Sequence, residues 1–170
     1  MLLTWINSQT PTVRLYKEIK NKYMETFVKN KREINNSVSV KTSISGVRTI
    51  YKALKDKKVI CFAADQVPKR GLGEHIKLYN KMAYTTTLVQ NLASKTNCPV
   101  IYLCMNSNIN GFLSVSIKPC SDNIYDRSKH LQLVNKDIEK LINRRPIDYS
   151  WEYKRFKRSL PEDENLYSGI

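Results

Sequence analysis

Apolar positions along the chain recur with two different periods, and the switches between them outline the elements. Thr12-Val-Arg-Leu-Tyr16 predicts a short strand, and Asn21 to Arg32 predicts a helix that turns Tyr23, Met24 and Phe27 inward. Ser37 to Lys41 alternates as a strand does. From Ser45 to Lys57, Val47, Ile50, Tyr51 and Leu54 fall at i, i+3, i+4 and i+7, the strongest helical stripe in the chain. Val59 to Ala64 is an unbroken apolar run bounded by charge, which predicts a strand buried on both faces of a sheet. A polar loop is expected from Asp65 to Lys81. Thr86 or Thr87 then caps a helix running through Ser94, and Pro99 to Met105 reads as another central strand. Phe112 to Lys118 alternates as a half-exposed strand, with its preceding turn at Asn108 to Gly111. Arg127 to Asn143 carries Leu131, Val134, Ile138, Leu141 and Ile142 on one helical face, and Pro146 ends it. Trp151 to Ile170 alternates aromatic and charged residues without an assignable period. Strands separated by helices of about 12 residues predict an α/β sheet with helices on its faces.

At 170 residues with 41% apolar content, one compact domain spanning 1–170 is expected. Charge changes the picture more than length does. Lys and Arg number 29 against 15 Asp and Glu, a net +14 that predicts anionic partners: nucleic acid, anionic lipid or an acidic protein. Residues 1–60 hold 13 of the basic and 4 of the acidic side chains, so the excess forms a basic face within structured-looking sequence. No apolar run approaches the roughly 20 residues that span a bilayer, and MLLTWINSQTP lacks the layout of a signal peptide, which together predict a cytoplasmic chain. Cys61, Cys98, Cys104 and Cys120 form no C-x-x-C pair and are read as buried reduced thiols. His75 and His130 are not spaced to join them in a metal site and are read as surface residues.

Asp65 ends the run VICFAA and is therefore expected at the carboxyl edge of a central strand, where open α/β sheets collect ligands. Gln66 follows, and then a loop with Lys69, Arg70, Gly71, Gly73, Lys77 and Lys81. A carboxylate beside cations on a glycine-containing loop suits a phosphate-bearing or sugar-bearing substrate. The alternative is an Asp that caps the next turn beside a solvated basic loop. Trp151, Tyr153 and Phe156 with Lys154, Arg155 and Lys157 suit either a membrane interface or a tail packed on the domain.

The stretch Ala64 to Leu103 resembles the central block of the lipid A biosynthesis acyltransferases. The matching residues are Asp65-Gln66, Gly71 and Gly73, Leu78-Tyr79, Ala83 with Thr85, and Pro99-Val100. Tyr16, Asn21 and Arg32 are similar to that family's Tyr-x-x-x-x-Asn segment closing on an Arg. Ile138-Glu139 through Tyr149, Trp151, Arg155, Phe156 and Lys157 resembles its C-terminal signature. Three blocks in the right order cover nearly the whole chain. The resemblance implies an α/β fold with a mixed, mostly parallel sheet flanked by helices. It also implies acyl transfer from acyl carrier protein to a lipid A precursor glycolipid at the cytoplasmic face of the inner membrane, against an anionic surface.

By the same resemblance Arg32 and Asp65 are supporting catalytic residues, Arg32 holding phosphate or an anionic transition-state group and Asp65 positioning substrate or supporting the missing base. Gln66, Lys69, Arg70 and Lys77 would contact substrate. No metal or cofactor is implied, and no nucleic acid is expected. Two departures stand out. Leu78-Tyr79-Asn80 replaces the usual Phe-Phe-Gly, with Asn tolerating the left-handed turn. The family's His-x-x-x-x-Asp/Glu, in which His is the general base, has no counterpart, because His75 is followed five positions on by Asn80 and His130 by Asn135. The expectation is an N-terminally truncated chain that lacks that motif and the family's membrane anchor, and is inactive alone. The competing class is a non-catalytic basic protein that binds anionic lipid or nucleic acid, although no finger, RRM octamer or basic-region heptad is present.

Overall fold

The computed structural model describes residues 2–16, 18–159 and 167, so Met1, Lys17 and most of the stretch after Ser159 lie outside the described residues. The chain divides into two compact units, 1–62 and 63–170.

In the first unit, α1 (Leu2–Gln9) leads into β1 (Thr12–Tyr16), followed by α2 (Lys22–Arg32), β2 (Val38–Lys41), α3 (Ile44–Lys55) and β3 (Val59–Cys61). β1 lies between β2 and β3 in a three-stranded parallel sheet, in register Val13 to Val38 and Thr12 to Val59. The two α crossovers are what make parallel neighbours possible here. Asn21 caps α2 by accepting from the amides of Tyr23 and Met24 at 3.0 and 3.2 Å, and Ser43 caps α3 by accepting from Gly46 at 3.1 Å. Gly46 is needed because an added Cβ would collide with the carbonyl oxygen of Lys41. The stripe on α3 does face inward, with Ile50 buried and Val47, Tyr51 and Leu54 half-buried, and Ala53 is buried beside it.

Three expectations are corrected in this unit. Val59–Cys61 is short and sits at the edge of its sheet, with Val59 42% exposed, so the apolar run is not a doubly covered central strand. β1 holds the centre instead. Tyr23, Met24 and Phe27 point outward, and α2 has no buried residue. Its inner side carries half-buried Val28 and Arg32 beside Glu25, which accepts from the Ile19 amide at 2.8 Å and from the Tyr16 hydroxyl. That bond, ahead of burial, pushes the Tyr16 phenol up to about 12.

In the second unit, β4 (Gly73–Leu78) and β5 (Lys81–Thr86) form an antiparallel hairpin. α4 (Leu88–Thr96) follows, then a second antiparallel pair, β6 (Ile101–Ser107) and β7 (Leu113–Pro119), and α5 (His130–Arg144). The architecture is mixed α/β, as expected. Its parallel ladders are confined to the first unit, and both ladders of the second are antiparallel. Pro99 to Met105 is therefore not a central strand: β6 pairs with β7 alone among the described residues.

The expected polar loop is interrupted by β4, whose inward Ile76 and Leu78 flank exposed Lys77 on the opposite face. Tyr79, not Asn80, takes the positive φ, at 53°, in the tight turn after it. Leu78, Ala83, Ala93, Ile124, Val134, Ile138 and Ile142 form the core cluster of this unit. α5 supplies three of these seven from its predicted stripe. His130 is also buried, at 5% exposure, which corrects its reading as a surface residue: it starts α5, and its amide donates to the Asp126 carbonyl at 2.9 Å.

Candidate functional site

The residues from Asp65 to Gly73 connect the end of the first unit to β4, and the second unit holds them through side chains far away in sequence. Asp65 stands in a turn in which the Gln66 amide donates to the Ala63 carbonyl at 3.3 Å. β3 has already ended at Cys61, so Asp65 does not top a strand. The Val67 amide donates to the Tyr153 hydroxyl at 2.8 Å, and the Arg158 guanidinium donates to the Pro68 carbonyl at 2.5 Å. Further on, the Tyr84 hydroxyl accepts from the amides of both Gly71 (2.9 Å) and Gly73 (3.2 Å). Gly71 has φ of 80°, a backbone state that glycine adopts without steric cost. Gly73 admits no side chain, because a Cβ there would strike the Thr85 carbonyl and the Pro68 ring.

Beneath this loop lies Arg155, 3% exposed. It donates to the Tyr84 carbonyl at 2.9 Å and to the Thr85 hydroxyl at 2.6 Å, while its Nε has no partner among the described residues. Burial holds its pKa below the usual guanidinium value. Tyr149 and Asp65 oppose that shift, which places both near the cation. Burial, with the Asp65 charge adding to it, pushes the Tyr149 phenol up to about 12, and the Tyr149 hydroxyl is buried without a hydrogen-bond partner among the described residues. Asp65, Tyr149 and Arg155 therefore form one electrostatic group. The buried Asn135 side chain completes the support from α5. Its Nδ2 donates to the Lys77 carbonyl at 3.0 Å and to the Thr85 hydroxyl at 3.1 Å. His75, half-buried, donates from Nε2 to the Arg158 carbonyl at 3.0 Å and stacks at a tilt on Tyr84, 5.0 Å between centroids.

The residues singled out in the sequence fall into two groups. Asp65, Gln66, Lys69, Arg70 and Lys77 all belong to the second unit. Gln66, Lys69 and Arg70 are exposed on the anchored loop, and Lys77 is exposed on β4. Arg32 belongs to the first unit, at the end of α2, and its charge acts on the buried Arg14. Arg14 donates from Nε to Ser39 at 3.3 Å, and its two terminal nitrogens have no partner among the described residues. Sequence reasoning missed Tyr84, Asn135 and Arg14 as organising residues. For Tyr84 a signal existed: it lies between Ala83 and Thr85, on the face of β5 opposite the core.

All four cysteines are unpaired and half-buried, and burial pushes the thiols of Cys61, Cys104 and Cys120 up. Thiols so shifted are poor nucleophiles, and packing is the role that fits them. Among the described residues no helix is long and apolar enough to cross a membrane. The Tyr149 hydroxyl and the Arg155 guanidinium are buried, so of this group only the half-buried Asp65 carboxylate has access to solvent. With no imidazole shown against Asp65, no proton acceptor of the His-carboxylate kind is assembled among them.

No curated protein matches the chain. The model of the bacterial lipid A biosynthesis acyltransferase family does match it, over residues 1–158. With the three motif blocks falling inside that span, the chain belongs to the bacterial lipid A biosynthesis acyltransferase family.

Proposed function

We propose that the chain serves the transfer of a fatty acyl group from acyl carrier protein to a hydroxyacyl chain of a lipid A precursor, at the cytoplasmic face of the inner membrane. Its part is to hold the phosphorylated glycolipid. The observation that carries this reading is the clamped loop. Tyr84, Tyr153 and Arg158 fix the backbone of residues 67–73 from behind, leaving the Lys69 and Arg70 side chains exposed to solvent. A cationic loop whose backbone is already ordered loses little conformational freedom when it takes a headgroup phosphate. Lys77 on β4 adds a third cation, Gln66 hydrogen-bonds the sugar, and Asp65 positions the acceptor. Arg32 holds an anionic group in the first unit. The donor is carried by an acidic protein, which the +14 charge attracts in the same way.

The 170 residues contain neither His followed by a carboxylate five positions on, so we assign them no general base and expect no transfer by this polypeptide alone. Two measurements test the reading. Equilibrium binding of a soluble, phosphorylated glucosamine disaccharide should weaken at least tenfold in a Lys69→Ala, Arg70→Ala, Lys77→Ala triple variant, and unchanged affinity refutes the headgroup assignment. Incubation of the purified chain with acyl carrier protein thioester and precursor should give no acylated product above the protein-free control. Enzyme-dependent product refutes the assignment of inactivity.

A further inference from the structure

The helix α2 is built inside out. Its sequence is amphipathic, yet the side turned to the protein carries Glu25, bound to Tyr16 and the Ile19 amide, half-buried Arg32 and a single half-buried aliphatic residue, Val28. The aromatic side is left in solvent: Tyr23 is 89% exposed, Phe27 58% and Met24 49%. These three fall on one face at i, i+1 and i+4, and together exceed the isolated apolar residue that any surface tolerates. Around them stand Lys20, Lys22 and Lys31, none in an ion pair among the described residues, and Lys31 Nζ lies 5.9 Å from the Phe27 ring centre. Two neighbouring cations are already neutralised in part, Lys41 by Glu18 at 2.6 Å and Lys29 by Glu33 at 3.9 Å.

An aromatic stripe with a lysine rim discriminates between occupants. Protein interfaces are depleted in lysine, because a strongly hydrated ammonium is poorly desolvated there. A bilayer surface instead takes the rings into the acyl boundary while lysine stems extend so that their heads stay among the phosphates. The surrounding charge has the matching sign, with 13 basic and 4 acidic residues in the first 60.

The geometry points to α2 as an interfacial helix that docks the first unit on an anionic lipid bilayer, inserting Tyr23, Met24 and Phe27 and pairing Lys20, Lys22 and Lys31 with headgroups. This contact is separate from the headgroup loop of residues 66–77, and it rests on the reading above only in that the substrate is a membrane lipid. α2 is a different element from the aromatic segment around Trp151, for which the sequence left a membrane interface and a packed tail both open.

The test is co-sedimentation of the full 170-residue chain with vesicles of phosphatidylcholine carrying about a third phosphatidylglycerol. The chain should bind these at least tenfold more tightly than vesicles of phosphatidylcholine alone, with binding falling as salt rises. Tyr23→Ser with Phe27→Ser should abolish binding with the far-ultraviolet circular dichroism unchanged, whereas Trp151→Ser should bind as the unaltered chain does. A second probe does not depend on truncated side chains. With Trp5→Phe and Trp151→Phe in the background, Phe27→Trp should shift its emission to shorter wavelength on adding anionic vesicles. Failure of the unaltered chain to sediment, equal binding by the double-serine variant, or a dimer that Phe27→Ser dissociates would each overturn the proposal. Binding of the soluble disaccharide by the double-serine variant separates the two readings: its loss in every variant and in the unaltered chain defeats the function proposed above and leaves the docking result standing.

Discussion

Helices α2 and α5 present the same kind of stripe in the sequence and end up in opposite environments. α5 buries Val134, Ile138 and Ile142 in the core of the second unit, whereas α2 buries nothing and holds its aromatic residues in water. What differs is the other side of each helix. α5 has Lys136 and Lys140 to give to solvent, and its fully buried polar residue past the first turn, Asn135, finds two carbonyls and a hydroxyl on the hairpin. α2 is anchored through Glu25 to groups on the chain entering it, and that polar anchor fixes the rotation of the helix. Periodicity announces a stripe; the hydrogen bonds on the opposite face decide where it points.

The largest effect that sharpens this contrast is truncation of one stripe residue on each helix. Ile138→Ala should cost about 3 kcal/mol in urea denaturation, while Phe27→Ala should change stability by less than about 0.5 kcal/mol. Comparable losses at both positions would break the comparison. Next comes the polar anchor. Asn135→Ala removes a donor that the Lys77 carbonyl shares with Gln132 and the Thr85 hydroxyl shares with Arg155, and should cost about 1 kcal/mol by the same measurement.

The smallest effect concerns the start of α5. The Ser128 amide and hydroxyl donate to Asp126 at 2.9 and 2.7 Å, and with Lys129 nearby its carboxyl is held down to about 2. A carboxyl whose folded pKa is depressed stabilises the fold above its unfolded value near 4 and loses that contribution as pH falls toward 2. The melting temperature of the unaltered chain should therefore drop more between pH 5 and pH 2 than that of Asp126→Asn. Parallel curves would remove Asp126 from the account.

Most elements were legible because their periods were long enough to read. β1, α3 and α5 begin and end within a few residues of their expected bounds, as does the Asn108 turn, where the Asn108 side chain accepts from the amides of Asn110 and Phe112. β4 was not, because Glu74, His75 and Lys77 give its six residues the composition of a loop, and only Ile76 and Leu78 mark the alternation. The run VICFAA misled for the opposite reason. Six apolar residues indicate burial, but they do not say that backbone pairing stops after three. At the candidate site, charged residues on the loop could be named from the sequence. The residues that hold it could not: Tyr84 and Arg158 act on backbone amides and a carbonyl more than ten residues away, and side-chain type alone does not encode such partners.

The double acceptance by the Tyr84 hydroxyl carries a consequence for how this surface can vary. Because one phenol oxygen grips residues 71 and 73, the mount of the loop is independent of the side chains at its tip. Residue 70 can change from cation to neutral group or to anion while the glycines keep their places. The architecture is thereby written in residues other than those at the tip, and the tip can be exchanged on an unchanged bracket.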